Sequence, residues 1–129
     1  RYGVKEEVQD LLIEANLLYW ASAMLAYAYE YINKIIAHKG LPKNLPLPRL
    51  RFVKAAFAYA KSLSPSIMFS YLLEERIQGS FVKYVHNGGP IPLLEVGEPG
   101  HDIAVFLCFT QHLQYIQTEG IAFISDYQG

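Results

Sequence analysis

The sequence predicts an α+β fold, and three observations predict it. From about Glu6 to His38 there is neither Pro nor Gly, and Ala, Leu, Glu and Tyr dominate, which favours helix. Ser66 to Leu73, SIMFSYLL, is apolar, aromatic and free of breakers, as a buried strand requires. Residues 104–129 read as an amphipathic helix, a glycine stop and a short apolar strand ending in Asp-Tyr-Gln-Gly. The resulting order is long helix, strand or helix, strand, turn, loop, helix, strand. It suits an α+β domain better than a doubly wound sheet.

In the long helix, Leu11, Ala15, Leu18, Ala21, Leu25 and Ala28 recur at three- and four-residue steps and mark one packing face. The length leaves room for a kink or break. Lys39, Gly40 and Pro42 supply a terminal cation, a glycine cap and a proline beyond it. Residues 15–29 carry no charge, but this run falls short of the roughly 20 residues of a membrane span. Glu14 and Glu30 bracket it, and no basic region precedes it as in a signal peptide. A buried core helix is therefore expected, and no membrane partner.

Leu41 to Pro48 holds three prolines and reads as a linker. Leu50 to Ala60 is ambiguous: its first half alternates like a strand, and its second half suits a helix. After the strand at Ser66–Leu73, Glu74 to Gln78 interrupt the apolar pattern before the turn at Gly79. Val85 to His101 contains Asn87-Gly88-Gly89-Pro90, Pro92, Gly97 and Pro99-Gly100, a long loop of the kind that tends to be functional or mobile. Asn87-Gly88-Gly89-Pro90 follows no strand–helix crossover, so it reads as a turn and not as a phosphate cradle.

Asp102 is placed to cap a second helix from Ile103 to about Thr118, with Phe106, Phe109, Leu113 and Ile116 as its apolar stripe. Gly120 ends that helix. Ile121 to Ser125 is expected to be a strand that delivers Asp126 and Gln128 at its lip.

The chain has 129 residues, enough for one domain with a modest core. At 52% hydrophobic residues it is too apolar for disorder. A net charge of −1 without a basic cluster argues against nucleic acid as a partner. The single Cys108 excludes an internal disulfide framework, which fits a reducing, cytoplasmic setting. No glycine-rich phosphate loop follows a strand, so neither a P-loop nor a dinucleotide fingerprint is present. The chain begins at Arg1 and ends at Gly129 directly after a strand-like stretch, and it reads as a piece of a larger domain.

Three segments carry more specific information. The first is Leu73-Glu74-Glu75-Arg76-Ile77-Gln78-Gly79-Ser80-Phe81-Val82-Lys83-Tyr84. The second is Phe106-Leu107-Cys108-Phe109-Thr110-Gln111-His112, and the third Ile124-Ser125-Asp126-Tyr127-Gln128-Gly129. In order and spacing they resemble the alpha-type (atypical) protein kinases, within them the fungal group. The first is similar to the family's strand–hinge segment with its FVKY tetrad, although Val85-His86-Asn87-Gly88 stands where asparagines usually follow. The second is similar to AFTQHVQY and the third to VVDIQG. Glu14-Ala15-Asn16 and Tyr19-Trp20-Ala21 add to the likeness upstream.

The resemblance implies a kinase-like two-lobed fold, present in part and truncated at both ends. Residues 1–73 would belong to the N-lobe, 74–79 to the hinge and 80–129 to the start of the C-lobe. It implies transfer of the ATP γ-phosphate to a Ser or Thr hydroxyl of a protein substrate. Asp126 would orient or deprotonate that hydroxyl or contact the metal. Gln128 would offer a carbonyl oxygen to Mg²⁺, while Glu74 and Lys83 would lie at the nucleotide. His112 would be one of four ligands of a structural Zn²⁺. A glycine-rich loop, a further aspartate and the other zinc ligands are expected downstream, and a phosphate-binding lysine upstream. Lys5 lies too close to the long helix for that role, and without these parts the chain is expected to be inactive by itself.

Without the resemblance these residues have plainer readings. Asp126 and Gln128 are turn residues, Lys83 a solvated lysine on an edge strand, Glu74 a solvated carboxylate and His112 a surface or hydrogen-bonded histidine. Cys108, one turn before His112, reads as core. The alternatives to a kinase are a degenerate, non-catalytic kinase-like interaction module and an unrelated α+β interaction domain.

Overall fold

A computed structural model describes residues 4–40, 47–61 and 68–129 of the chain, the side chains of Val4, Lys5, Lys61 and Met68 excepted. Its elements are helix α1 (Val4–Lys39), strands β1 (Ala55–Lys61) and β2 (Met68–Glu74), and helix α2 (His101–Gln117). The chain is mixed α+β. It divides into two compact units. One combines α1 through Ser22 with Phe52–Ile77, and the other combines Ala23–Arg51 with Gln78–Gly129.

α1 runs unbroken for 36 residues. Gly40 closes it at φ 77°, with its N–H on the Ile36 carbonyl at 2.8 Å, a cap that a residue with a Cβ would adopt only under strain. Of the linker read at Leu41–Pro48, residues 41–46 lie outside the described set; residues 47–54 are irregular.

In the first unit β1 and β2 form a two-stranded antiparallel sheet, with Phe57 opposite Leu72 and Ala58 opposite Tyr71. β1 corrects the reading of Leu50–Ala60: the alternating first half is irregular and the alanine-rich second half is strand. Alanine is the strongest helix former, but propensity is a small local bias, and pairing along β2 overrides it. β2 lies where a strand was expected, with Ser66 and Ile67 outside the described residues. One face of the sheet sets Phe69, Tyr71 and Leu73, all exposed, beside Ala56, Ala58 and Ala60. Among the described residues this unit holds no buried side chain.

The second unit holds the core. Leu25, Ala28 and Ile32 of α1 are buried, as are Ala104, Phe106, Leu107 and Leu113 of α2, together with Val85 and Tyr127. Phe106 stacks on Tyr29 with ring centroids 5.6 Å apart. The Tyr29 hydroxyl donates to the Pro48 carbonyl and accepts the Leu50 N–H, both at 2.8 Å, which fixes the irregular segment after the linker.

The predicted face of α1 is the least exposed one: Leu11, Ala15, Leu18 and Ala21 are half-buried, and Leu25 and Ala28 buried. The expectation of a buried core helix fails elsewhere. Leu12, Ile13, Leu17, Tyr19 and Trp20 are exposed, Tyr19 by 73% and Trp20 by 65%. By length and composition the Glu6–Lys39 part is apolar enough to cross a membrane, and only 11% of its most apolar window is buried. Such a helix establishes neither a membrane nor a cytoplasmic location.

α2 begins at His101 and not at Ile103, and Asp102 does not cap it. The N-cap is Gly100, left-handed at φ 91°, without a side-chain cap, and Asp102 lies inside the first turn. There its carboxylate faces the positive end of the helix dipole. The His101 ring, bonded through Nδ1 to the Leu94 carbonyl at 2.8 Å, ties that end to the preceding loop. A Cβ at Gly100 would lie 3.1 Å from Leu94 Cδ1 and 3.2 Å from the Tyr84 ring. Gly100→Ala is expected to cost about 1–3 kcal/mol, from backbone strain and this crowding. A urea titration that leaves the midpoint unchanged would contradict it.

Candidate functional site

The predicted strand at Ile121–Ser125 does not form, and the polar side chains at the end of α2 explain why. Thr118 Oγ1 accepts the Ala122 N–H at 3.1 Å and lies 2.8 Å from both the Ala122 and Gln114 carbonyls, which share its one proton. Gln114 Oε1 accepts the Ile124 N–H at 2.9 Å. Backbone groups that a strand would commit to a ladder are thus taken by the helix the segment follows. Ile121 is almost fully exposed, so the segment is no buried strand.

Beyond it the chain pairs briefly with Val82–Val85. Val82 and Gly129 exchange N–H to carbonyl bonds of 2.7 and 2.9 Å, and the Tyr127 carbonyl accepts from Tyr84 N–H at 2.9 Å and Val85 N–H at 3.2 Å. This places Lys83 directly opposite Gln128 in an isolated antiparallel bridge. Tyr127 and Val85 are buried and anchor the two segments.

Two residues singled out by the motifs meet here. Lys83 Nζ lies 2.6 Å from Asp126 Oδ1, with side-chain exposures of 45% and 43%. Asp126 is left-handed, at φ 60°. A pair this exposed contributes at most about 1 kcal/mol. The left-handed backbone of a non-glycine residue costs about as much, though Asp tolerates it better than most. The two nearly offset each other, so the arrangement adds little net stability.

The arrangement offers one ammonium, one carboxylate and one carboxamide on neighbouring backbone. An ammonium suits a phosphate oxygen. A carboxylate and an amide carbonyl suit Mg²⁺, a hard cation that takes oxygen ligands. Asp126 and Gln128 therefore fit that ion in donor type.

Glu74 belongs to the other unit, exposed at the end of β2 opposite Ala55. The next residue is tied back to Lys54: Glu75 N–H donates to its carbonyl at 2.8 Å, and Glu75 Oε2 accepts its N–H at 3.2 Å. His112 is exposed on α2. Among the described residues no group of three or more His, Cys, Asp or Glu is arranged to hold a metal, and His112 belongs to no such group. Cys108 is half-buried, and burial pushes its thiol up, away from the reactive thiolate.

A polar layer under α2 escaped sequence reasoning. Thr110, Gln111 and Gln114 are buried on the face that also carries Phe106, Leu107 and Leu113. Thr110 Oγ1 donates to the Leu107 carbonyl at 2.8 Å and lies 3.4 Å from the Tyr127 hydroxyl. Burial pushes the Tyr127 phenol up, partly opposed by Thr110 and Gln114. The expected stripe is only half right, because Phe109 and Ile116 are exposed. The signal was Thr110-Gln111 and Gln114 at three- and four-residue steps, which a hydrophobic count passes over.

Comparison of the chain with protein-family models finds no match, and comparisons with curated proteins and with solved structures likewise find none.

Proposed function

We propose that the chain is part of an alpha-type protein kinase domain, one that binds MgATP and transfers its γ-phosphate to protein Ser or Thr. The observation that carries this reading is the contact of Lys83 with Asp126 beside Gln128. Residues from two separate motif segments, distant in the chain, converge as phosphoryl transfer requires. That chemistry asks mostly for positioning and charge neutralisation. Lys83 would draw a phosphate oxygen, Asp126 would hold the acceptor hydroxyl or the metal, and Gln128 would add a carbonyl oxygen to it. Mg²⁺ would supply neutralisation of the phosphate charge. A structural Zn²⁺ at His112 would call for three further ligands.

A second reading, a non-catalytic interaction module, is favoured by a different observation. Five large apolar side chains of the first half of α1 are exposed, together with Phe69, Tyr71 and Leu73 of β2.

Calorimetric titration with ATP, with and without Mg²⁺, separates the two. On the kinase reading Lys83→Met weakens metal-free and metal-bound ATP alike by about tenfold, the value of a charge-assisted hydrogen bond. Asp126→Asn removes the gain in affinity from Mg²⁺ while sparing metal-free ATP. Binding indifferent to both substitutions, or absence of ATP binding by the chain extended to the completed domain, rejects the kinase reading and leaves the interaction module.

A further inference from the structure

The turn at His86–Gly88 holds a reactive arrangement that the phosphoryl-transfer reading does not use. The Gly88 N–H donates to His86 Nδ1 at 2.8 Å. The imidazole lies so close that a Cβ at Gly88 would come within 2.6 Å of Cε1 and 2.8 Å of Nδ1. Glycine is thus the residue that lets the ring rest against this amide. Between the two stands Asn87, exposed in the turn, and it is the only asparagine of the chain followed by glycine.

We propose that Asn87 is a self-modification site at which His86 is the catalytic residue, converting the side-chain amide to a carboxylate through a succinimide. His86 Nδ1 carries the lone pair that accepts the Gly88 N–H and removes that proton as the nitrogen attacks Asn87 Cγ. A bond forms between Gly88 N and Asn87 Cγ, and the bond from Cγ to Nδ2 breaks. The proton held by His86 passes to the leaving nitrogen, which departs as ammonia. Solvent water then opens the five-membered ring at either carbonyl. One opening gives Asp at position 87, the other isoaspartate with the main chain rerouted through the side chain. No oxidation or reduction occurs, and water is the only co-reactant. The attacking nitrogen belongs to the next residue in the chain, so the reactants are held together covalently. Glycine adds no side chain to obstruct ring closure. The product carries one more negative charge in the loop that follows Lys83.

The test is ageing of the purified chain at neutral pH, followed by mass spectrometry of the tryptic peptide that begins at Tyr84. The expected result is the mass gain of amide-to-acid conversion at Asn87, as an Asp and isoaspartate mixture. His86→Phe is expected to slow it about tenfold, less than the roughly hundredfold of a well-shielded base because solvent hydroxide competes. A rate in His86→Phe equal to or above the parent overturns the role of His86. Should that variant fail to fold, the parent chain is compared with a synthetic peptide of residues 84–91. Faster conversion in the folded chain supports the proposal, and equal or slower conversion overturns it. Nucleotide binding enters none of these readouts, so the outcome is separate from that of the kinase reading.

Discussion

Phe106→Ala is expected to destabilise the second unit by about 3–5 kcal/mol, the usual cost of emptying a large aromatic from a packed core. Phe106 is buried, stacks on Tyr29 at 5.6 Å and lies 6.4 Å from Phe109. The loss removes apolar burial and the ring pairing together, and the pairing alone is worth about 0.5–1.5 kcal/mol. Phe109→Ala provides the contrast. Its ring is 47% exposed, and its removal is expected to cost about 1 kcal/mol. Hydrogen exchange of the α2 amides under increasing urea measures both, and it reads this unit without assuming that the whole chain unfolds in one step. Equal costs for the two phenylalanines would mean that α2 buries a different face.

That pair of residues also shows what sequence could and could not supply. Helices announce themselves through composition, breakers and periodicity, and both α1 and α2 lie where those signals put them. The stripe on α1 was legible because small and large apolar residues repeat at helical steps. On α2 the repeat was present, but Phe106 and Phe109 both fit it, and only a partner such as Tyr29 decides which is covered. The exposure of Tyr19 and Trp20 was not legible at all, since a sequence states the wish to be buried and not whether a surface is there to meet it. β1 failed for a related reason: strand pairing is a non-local event, and Ala55 to Ala60 carry a local bias toward helix.

For the candidate site, the motifs named Lys83, Asp126 and Gln128 but assigned Asp126 to the lip of a strand that does not exist. The error traces to Ile121-Ala122-Phe123-Ile124-Ser125, whose apolar pattern reads as strand. A strand needs a neighbour for its backbone groups, and here Gln114 and Thr118 take them first. The buried Gln114 and the helix-capping Thr118 thus decide the course of the segment that carries Asp126.

Gln114 is where that dependence can be tested. It is completely buried, and its Oε1 accepts the Ile124 N–H. Gln114→Leu keeps the size of the side chain while withdrawing the acceptor. It is expected to cost about 1–3 kcal/mol, the penalty for a part-buried donor left without its protein partner. Exchange of the Ile124 amide is expected to accelerate by roughly 5- to 150-fold, the same free energy expressed as a ratio. Release of this anchor also loosens the approach to Asp126, so the Lys83–Asp126 contact weakens although neither charge has been altered. If MgATP binds as proposed, its affinity falls in this variant while that for metal-free ATP, held by Lys83, falls less. An Ile124 amide that exchanges no faster in Gln114→Leu would show that the segment is held by Tyr127 and Thr118, with Gln114 merely filling space.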